Sequence, residues 1–336
     1  MAKIGILGAG AWAIALGLVL KKNGNEVTLW TCVDTEAEML IKDREHKTSL
    51  PGIILPEDIK ITMDLKEAIS DMDLIIFAVA SRYTRQTAAK LKKLINNGQK
   101  LLIVSKGIED ETLMTLSEIV HQELPDANVS VLSGPSHAEE VGRGLPTTVV
   151  VGSETKETAD YIQELFMNEV FRVYTSPDIM GIELGGALKN VIALAAGVAD
   201  GAGYGDNTKA ALITRGIAEI TRLGVKMGGN FKTFGGLTGI GDLIVTCASM
   251  HSRNRRAGIL IGQGKTMEEA MKEVNAVVEG VYSAKAAYKL SQKYDVSMPI
   301  VEQVNQVLFE GKDVKQALYD LMLREKRDEI VEGWTK

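Results

Sequence analysis

Short apolar runs alternate with helix-period segments through the first half of the chain. Residues 3–7, 26–30, 59–62, 74–79, 101–105 and 129–132 are β-rich, and helical patterns at 11–23, 36–43 and 83–96 lie between most of them. Alternation of this kind predicts βαβ units and a doubly wound parallel sheet covered on both faces. Two further strand candidates, 147–151 and 171–174, extend the sheet around a helix at 157–167. The pattern changes at Ser176-Pro177-Asp178. Beyond it strand signals almost vanish, and helices are predicted at 179–197, 208–227, 240–250, 253–261, 267–272, 281–293, 300–309 and 314–323. The division this predicts is an α/β domain over residues 1–177 and an all-α domain over 178–336, without internal repeats and with a polar tail, 324–336, expected to fray.

One of the helical segments is chemically odd. Residues 184–199 are small and apolar on every side, apart from Lys189 and its neighbour Asn190. Lysine is almost never fully buried unless paired or functional. Burial disfavours its charged form and brings its pKa toward a range useful for proton transfer. Lys189 is therefore a candidate acid or base, against the alternative of a side chain snorkelling out at the helix edge.

Composition narrows the classes. The chain has 336 residues, and 38 basic against 44 acidic side chains leave a net charge of −6. That excludes general nucleic-acid binding, which wants a basic face, and means that an anionic ligand must be attracted locally. The two cysteines, Cys32 and Cys247, fall in no metal-ligand pattern and read as reduced thiols of a cytoplasmic protein. No metal site is expected. The uncharged run 4–20 imitates a signal peptide, but Gly8 and Gly10 interrupt it and a strand pattern follows directly. No stable membrane insertion is expected.

Gly8-Ala9-Gly10-Ala11-Trp12-Ala13 follows the first strand and opens a helix. This is the GxGxxG/A dinucleotide fingerprint in its required context, so the first domain is expected to be of Rossmann type. The first glycine makes the turn, the second admits a pyrophosphate, and the helix N-terminus meets the anion. Asp34, just past the second strand, is late for a ribose contact and reads more readily as a helix N-cap. With no arginine nearby, the cofactor is NAD or NADP with a mild lean to NAD.

Several other turns carry polar chemistry. Lys106, in Ser105-Lys106-Gly107, ends a buried strand, where open α/β sheets bind ligands. In Ser133–Glu140, Ser136 has capping-box spacing to Glu139, and His137 is a candidate base that more readily plays a local role. Asp242, in a Gly-rich helix start, is either a cap or a functional carboxylate. Ser252-Arg253-Asn254-Arg255-Arg256 is a basic cluster at another helix start, suited to an anionic substrate or simply a solvated helix end.

Taken together these segments resemble the bacterial-type NAD(P)-dependent glycerol-3-phosphate dehydrogenases over nearly the whole chain. Gly8–Ala13, Leu50-Pro51-Gly52, Ser105–Gly107, Ser133–Val141, Glu183–Val191, Gly239–Thr246, Ser252–Asn254 and Val277–Gly280 carry the resemblance through their order and spacing. It implies a helical domain like that of 6-phosphogluconate dehydrogenases. It also implies reversible hydride transfer between a nicotinamide and dihydroxyacetone phosphate, giving sn-glycerol 3-phosphate for phospholipid synthesis by a cytoplasmic homodimer. Carried over by motif, Lys189 is the catalytic acid/base. Lys106, Gly134, Ser136, Asp242, Thr246, Ser252, Arg253 and Asn254 would line the small phosphorylated substrate. Gly8, Gly10, Ala11, Trp12, Lys106, Ala138, Arg253, Val277 and Glu279 would contact the dinucleotide. The chain departs from the family's usual residues at Ala11, Ala13, Val33 and Ala80, and Val33 puts tight binding of a 2′-phosphate in doubt. Related families with the same two-domain plan reduce ketopantoate or oxidise 3-hydroxy acids and form the alternative.

Overall fold

The computed structural model describes residues 1–326, 328 and 329, so the end of the polar tail lies outside the described residues. Eight strands form one sheet: β1 (Lys3–Leu7), β2 (Glu26–Trp30), β3 (Lys60–Thr62), β4 (Leu74–Phe77), β5 (Lys100–Ile103), β6 (Asn128–Ser133), β7 (Thr147–Ser153) and β8 (Phe171–Ser176). Their order is β3-β2-β1-β4-β5-β6-β7-β8. Strands β1 to β6 run parallel, and β1 and β4 are buried along almost their whole length, as expected where helices cover both faces. The sheet is not wholly parallel, however. β7 pairs antiparallel to β6, while β8 returns parallel to β7.

The covering helices are α1 (Ala11–Lys22), α2 (Asp34–Asp43), α3 (Leu65–Ile69), α4 (Thr84–Leu91), α5 (Leu116–Glu123), α6 (Ala138–Gly142) and α7 (Lys156–Phe166). The apolar run that imitated a leader is β1, the glycine turn and α1, and it is largely core. Helices α3 and α5 have no counterpart in the apolar pattern. α5 is set instead by its capping box, Thr115 with Glu118. Two expected caps are not formed. Val33, not Asp34, is the N-cap of α2, and Asp34 lies in its first turn. His137, not Ser136, is the N-cap of α6, because the Ser136 hydroxyl donates back to the Gly134 carbonyl at 2.9 Å.

Past Pro177 every regular element among the described residues is helical: α8 (Ile179–Gly201), α9 (Asp206–Lys226), α10 (Phe231–Phe234), α11 (Asp242–Ala248), α12 (Arg253–Gly262), α13 (Met267–Val274), α14 (Glu279–Lys293), α15 (Pro299–Phe309) and α16 (Val314–Met322), with one π-helical turn at Leu237–Gly241. α8 is the axis of this half. It is long and apolar enough to cross a membrane by composition, but most of it is buried among α9, α11, α12 and α14. Its tightest neighbour is α12. A Cβ added at Gly258 would lie 2.2 Å from the Leu194 carbonyl oxygen, and one at Gly262 would lie 2.2 Å from that of Val198. From the other side, Cβ atoms at Gly197 and Gly201 would meet the carbonyls of Arg255 and Ile259 at 2.1 and 2.0 Å. Small residues spaced four apart thus bring two backbones into direct contact.

Candidate active site

The carboxyl end of β1 turns into α1 through Gly8, whose φ of +122° is strained for any residue with a side chain. A Cβ there would also sit 2.7 Å from the Ala78 carbonyl oxygen. At Gly10, by contrast, an added Cβ would meet nothing within 4 Å. Gly10 is the N-cap of α1 and supplies no side-chain cap, so Ala11 and Trp12 start a helix whose first N–H groups have no intrahelical acceptor. An open cradle over uncapped amides, beside the β1/β4 switch in strand order, fits a dinucleotide pyrophosphate.

In the helical half, α8 carries Lys189 inward. The residue is only 6% exposed, so it does not snorkel. Its Nζ donates to Asp242 Oδ1 at 2.5 Å and to Thr246 Oγ1 at 2.6 Å, and the Thr246 hydroxyl donates in turn to the Asp242 carbonyl at 2.6 Å. Lys106, arriving from the end of β5, donates to Asp242 Oδ2 at 2.6 Å and to the Gly134 carbonyl at 3.1 Å. One buried carboxylate therefore holds two ammonium groups, one from each half of the chain. The Asp242 side chain does not cap α11, whose N-cap is Gly241.

The electrostatics follow from burial first. Desolvation pushes the Lys189 ammonium down; Asp242 opposes this and Lys106 reinforces it, leaving a pKa of about 8. For Asp242 burial pushes the carboxyl up, but the charges and hydrogen bonds of Lys106 and Lys189 outweigh it and hold the group below the usual carboxylate range. Cys247, one turn along α11, is pushed up to about 12 by burial and stays a thiol. His137 is held below the ordinary imidazole range by burial and then by the Lys189 charge. It packs at 5.6 Å against the ring of His251, which favours a neutral, local role.

The basic cluster splits. Arg255 is committed to Asp200, with its Nε at 2.9 Å and Nη2 at 2.7 Å from Oδ2. Ser252 caps α12 by accepting the Arg255 N–H at 3.2 Å. Asn254 is buried and ties helices together. Its Nδ2 donates to Asn190 Oδ1 at 2.9 Å and its Oδ1 accepts the Gly280 N–H at 2.8 Å, which leaves one amide hydrogen. Asn190 is thus a partner of Asn254, where the sequence suggested a helper for Lys189. Arg253 is exposed and makes no hydrogen bond or ion pair among the described residues. Glu279 accepts from the Ser81 hydroxyl at 2.7 Å, with Val277 two residues before it at the start of α14. Ser81 carried no sequence signal, because its partner is 198 residues away. Ala138 begins α6 beside the same cleft and packs on the core of the dinucleotide half.

Profiles of one family match both halves: the N-terminus of NAD-dependent glycerol-3-phosphate dehydrogenase over residues 3–159 and its C-terminus over residues 178–319. The chain belongs to the NAD-dependent glycerol-3-phosphate dehydrogenase family. A glycerol-3-phosphate dehydrogenase (NAD(P)+) from Agathobacter rectalis is 61% identical over 329 residues, covering 98% of each chain. One of the same name from Fusobacterium nucleatum is 59% identical, covering 99% of this chain and all of that one. The crystal structure of glycerol-3-phosphate dehydrogenase from Coxiella burnetii superposes with a TM-score of 0.93 at 36% identity, over 96% of this chain and 99% of that one. Family membership carries the NAD(P) cofactor class with it and favours this reading over the ketopantoate and 3-hydroxy-acid alternative.

Proposed function

We propose that this chain catalyses reversible hydride transfer between NAD(P)H and C2 of dihydroxyacetone phosphate, producing sn-glycerol 3-phosphate. The observation that carries the reading is the buried Lys189–Asp242–Lys106 cluster, in which one carboxylate holds an ammonium from each half of the chain. Gly8, Gly10, Ala11 and Trp12, with Lys106, Ala138, Arg253, Val277 and Glu279, would hold the NAD(P)H, which would supply the hydride.

The chain's own residues handle the rest. Reduction builds negative charge on the ketone oxygen. A protonated Lys189 stabilises that oxygen and delivers a proton to it; in the reverse direction its neutral amine takes the proton away. Thr246 and Asp242 fix the ammonium by occupying two of its three donor positions and leave the third for substrate. Lys106, ion-paired with Asp242 at 2.6 Å, adds positive potential where the alkoxide develops. Arg253 and the remaining amide hydrogen of Asn254 take the phosphate, with the Gly134–Ser136 turn closing the other side, so that remote binding energy orients the carbonyl. The two halves divide near residue 177, and each ligand draws residues from both. A cytoplasmic homodimer feeding phospholipid synthesis is the setting that this reaction suits.

The test is an absorbance assay of dihydroxyacetone phosphate reduction, run in parallel with NADH and NADPH and with ketopantoate as a control substrate. Cofactor oxidation that depends on dihydroxyacetone phosphate is expected. Turnover of the keto acid alone would overturn the reading.

A further inference from the structure

The sequence drew attention to Asp34 at the end of β2, but the structure builds a different carboxylate there. We propose that Glu36, held by Thr31 and His46, reads the 2′-hydroxyl of the adenosine ribose and makes this chain prefer NADH to NADPH. The proposal rests on the dinucleotide reading of the glycine turn.

Thr31 directly follows β2 and is 3% exposed. Its hydroxyl accepts the Val33 N–H at 3.2 Å and donates to Glu36 Oε2 at 2.8 Å. His46, in the loop after α2, is also 3% exposed. Its Nδ1 accepts the Ser49 N–H at 3.3 Å, so in the neutral ring Nε2 carries the proton. That Nε2 lies 3.6 Å from Glu36 Oε1 and has no hydrogen-bond partner among the described residues. Two polar groups, from a strand end and from the loop after α2, thus converge on one carboxylate at the helix start.

Packing does not ask for this arrangement. The buried His46 Nε2 is left without a full hydrogen bond, a desolvation cost that local packing does not repay. Each Glu36 oxygen faces one donor and keeps a further lone pair, enough to accept a ribose hydroxyl. In folds of this topology the carboxyl end of β2, beside the β1 glycine turn, is where the ribose arrives. The neighbouring His46 ring, together with the hydrogen bond from Thr31, outweighs burial and keeps the carboxyl below its ordinary range, so it remains an acceptor at neutral pH.

A 2′-phosphate would meet the reverse of what it needs. Residues 31–41 contain no lysine or arginine, but they do contain Asp34, Glu36 and Glu38. Arg44 is turned away, its guanidinium donating to the Pro56 and Ile59 carbonyls. Discrimination therefore comes from an attractive contact to the hydroxyl and a repulsive field against the phosphate.

The experiment is equilibrium titration of the full-length protein with NADH and NADPH, read by fluorescence without substrate. Wild type is expected to bind NADH at least tenfold more tightly, ~1.4 kcal/mol. Glu36→Gln should reduce that ratio, and Val33→Arg, at an exposed position, should reduce it by strengthening NADPH alone. Circular dichroism melts accompany each variant. Equal or tighter NADPH binding by wild type would overturn the proposal, as would a ratio unmoved in both folded variants. Binding of neither dinucleotide would instead overturn the dinucleotide reading beneath it.

Discussion

The two walls of the cleft are built by different means. On the dinucleotide side the ligand meets backbone: a glycine with positive φ, an open glycine and the uncapped start of α1. On the helical side the candidate groups are side chains, and most of them lean on another: Lys189 on Asp242 and Thr246, Asp242 on Lys106 from β5, Asn254 on Asn190. A backbone site is specified within a few residues of sequence. A side-chain site needs distant partners to arrive, and each partner is a separate place where it can fail. Faults on the first wall should therefore appear in cofactor affinity, and faults on the second in turnover and its pH dependence.

The largest expected break in that contrast is Lys189→Ala. Losing the proton donor should cut the rate of the chemical step by roughly two to four orders of magnitude, while NADH binding measured by titration changes little. Near wild-type turnover would remove Lys189 from the mechanism.

Asp242→Asn probes the same wall by removing the one carboxylate between two buried ammonium groups. Breaking a buried pair in this way costs roughly 3–5 kcal/mol, which chemical denaturation should detect. In whatever fraction folds, Asp242 no longer pulls the Lys189 pKa upward, so the pH profile should move to lower pH. A profile that stays in place would mean that Asp242 does not tune the lysine.

The glycine wall offers a matched pair. Gly10→Ala has room for its methyl group, so its melting temperature should hold while the dinucleotide Kd rises by about tenfold or more as the pyrophosphate is kept off the backbone. Gly8→Ala must strain φ and strike the Ala78 carbonyl, so it should lower the melting temperature as well. An unchanged dinucleotide Kd in Gly10→Ala would show that the open cradle is not a ligand surface.

The mildest test needs no mutation. The Lys189 ammonium, at about 8, is protonated below that pH and neutral above it. Ketone reduction uses the protonated form, so kcat/KM for dihydroxyacetone phosphate should fall as pH rises through 8, by about tenfold per unit well beyond it. Oxidation of glycerol 3-phosphate should rise through the same window. Flat profiles from pH 7 to 9 would contradict the assignment.

The same contrast explains what could be read from sequence. The strands were legible because buried parallel strands read as continuous apolar runs, and the glycine turn because its spacing is local. Lys189 was legible because a lone charge in an apolar helix is conspicuous. The antiparallel sense of β7 was not, since an apolar run has no direction. α5 went unseen because its Thr115–Glu118 box is polar and the helix is only 8 residues long. Ser136 and Asp34 looked like caps on spacing alone. In the structure the Gly134 carbonyl claims the first, and the chain enters α2 one residue earlier than the second would require. Asn254 and Glu36 take their roles from Asn190 and His46, partners that no short-range pattern announces.

The contact between α8 and α12 has one more consequence. Lys189 rides on the first of these helices, and Arg253 and Asn254 open the second. Where glycines let peptide touch peptide, the gap between proton donor and phosphate clamp is gauged by main-chain atoms, which cannot change size. Elsewhere in the helical half, side chains can be exchanged over generations and the bundle can resettle around them. Here the molecule carries a caliper, and on the proposed reading the length of substrate it accepts is inherited with four glycines set apart from the site.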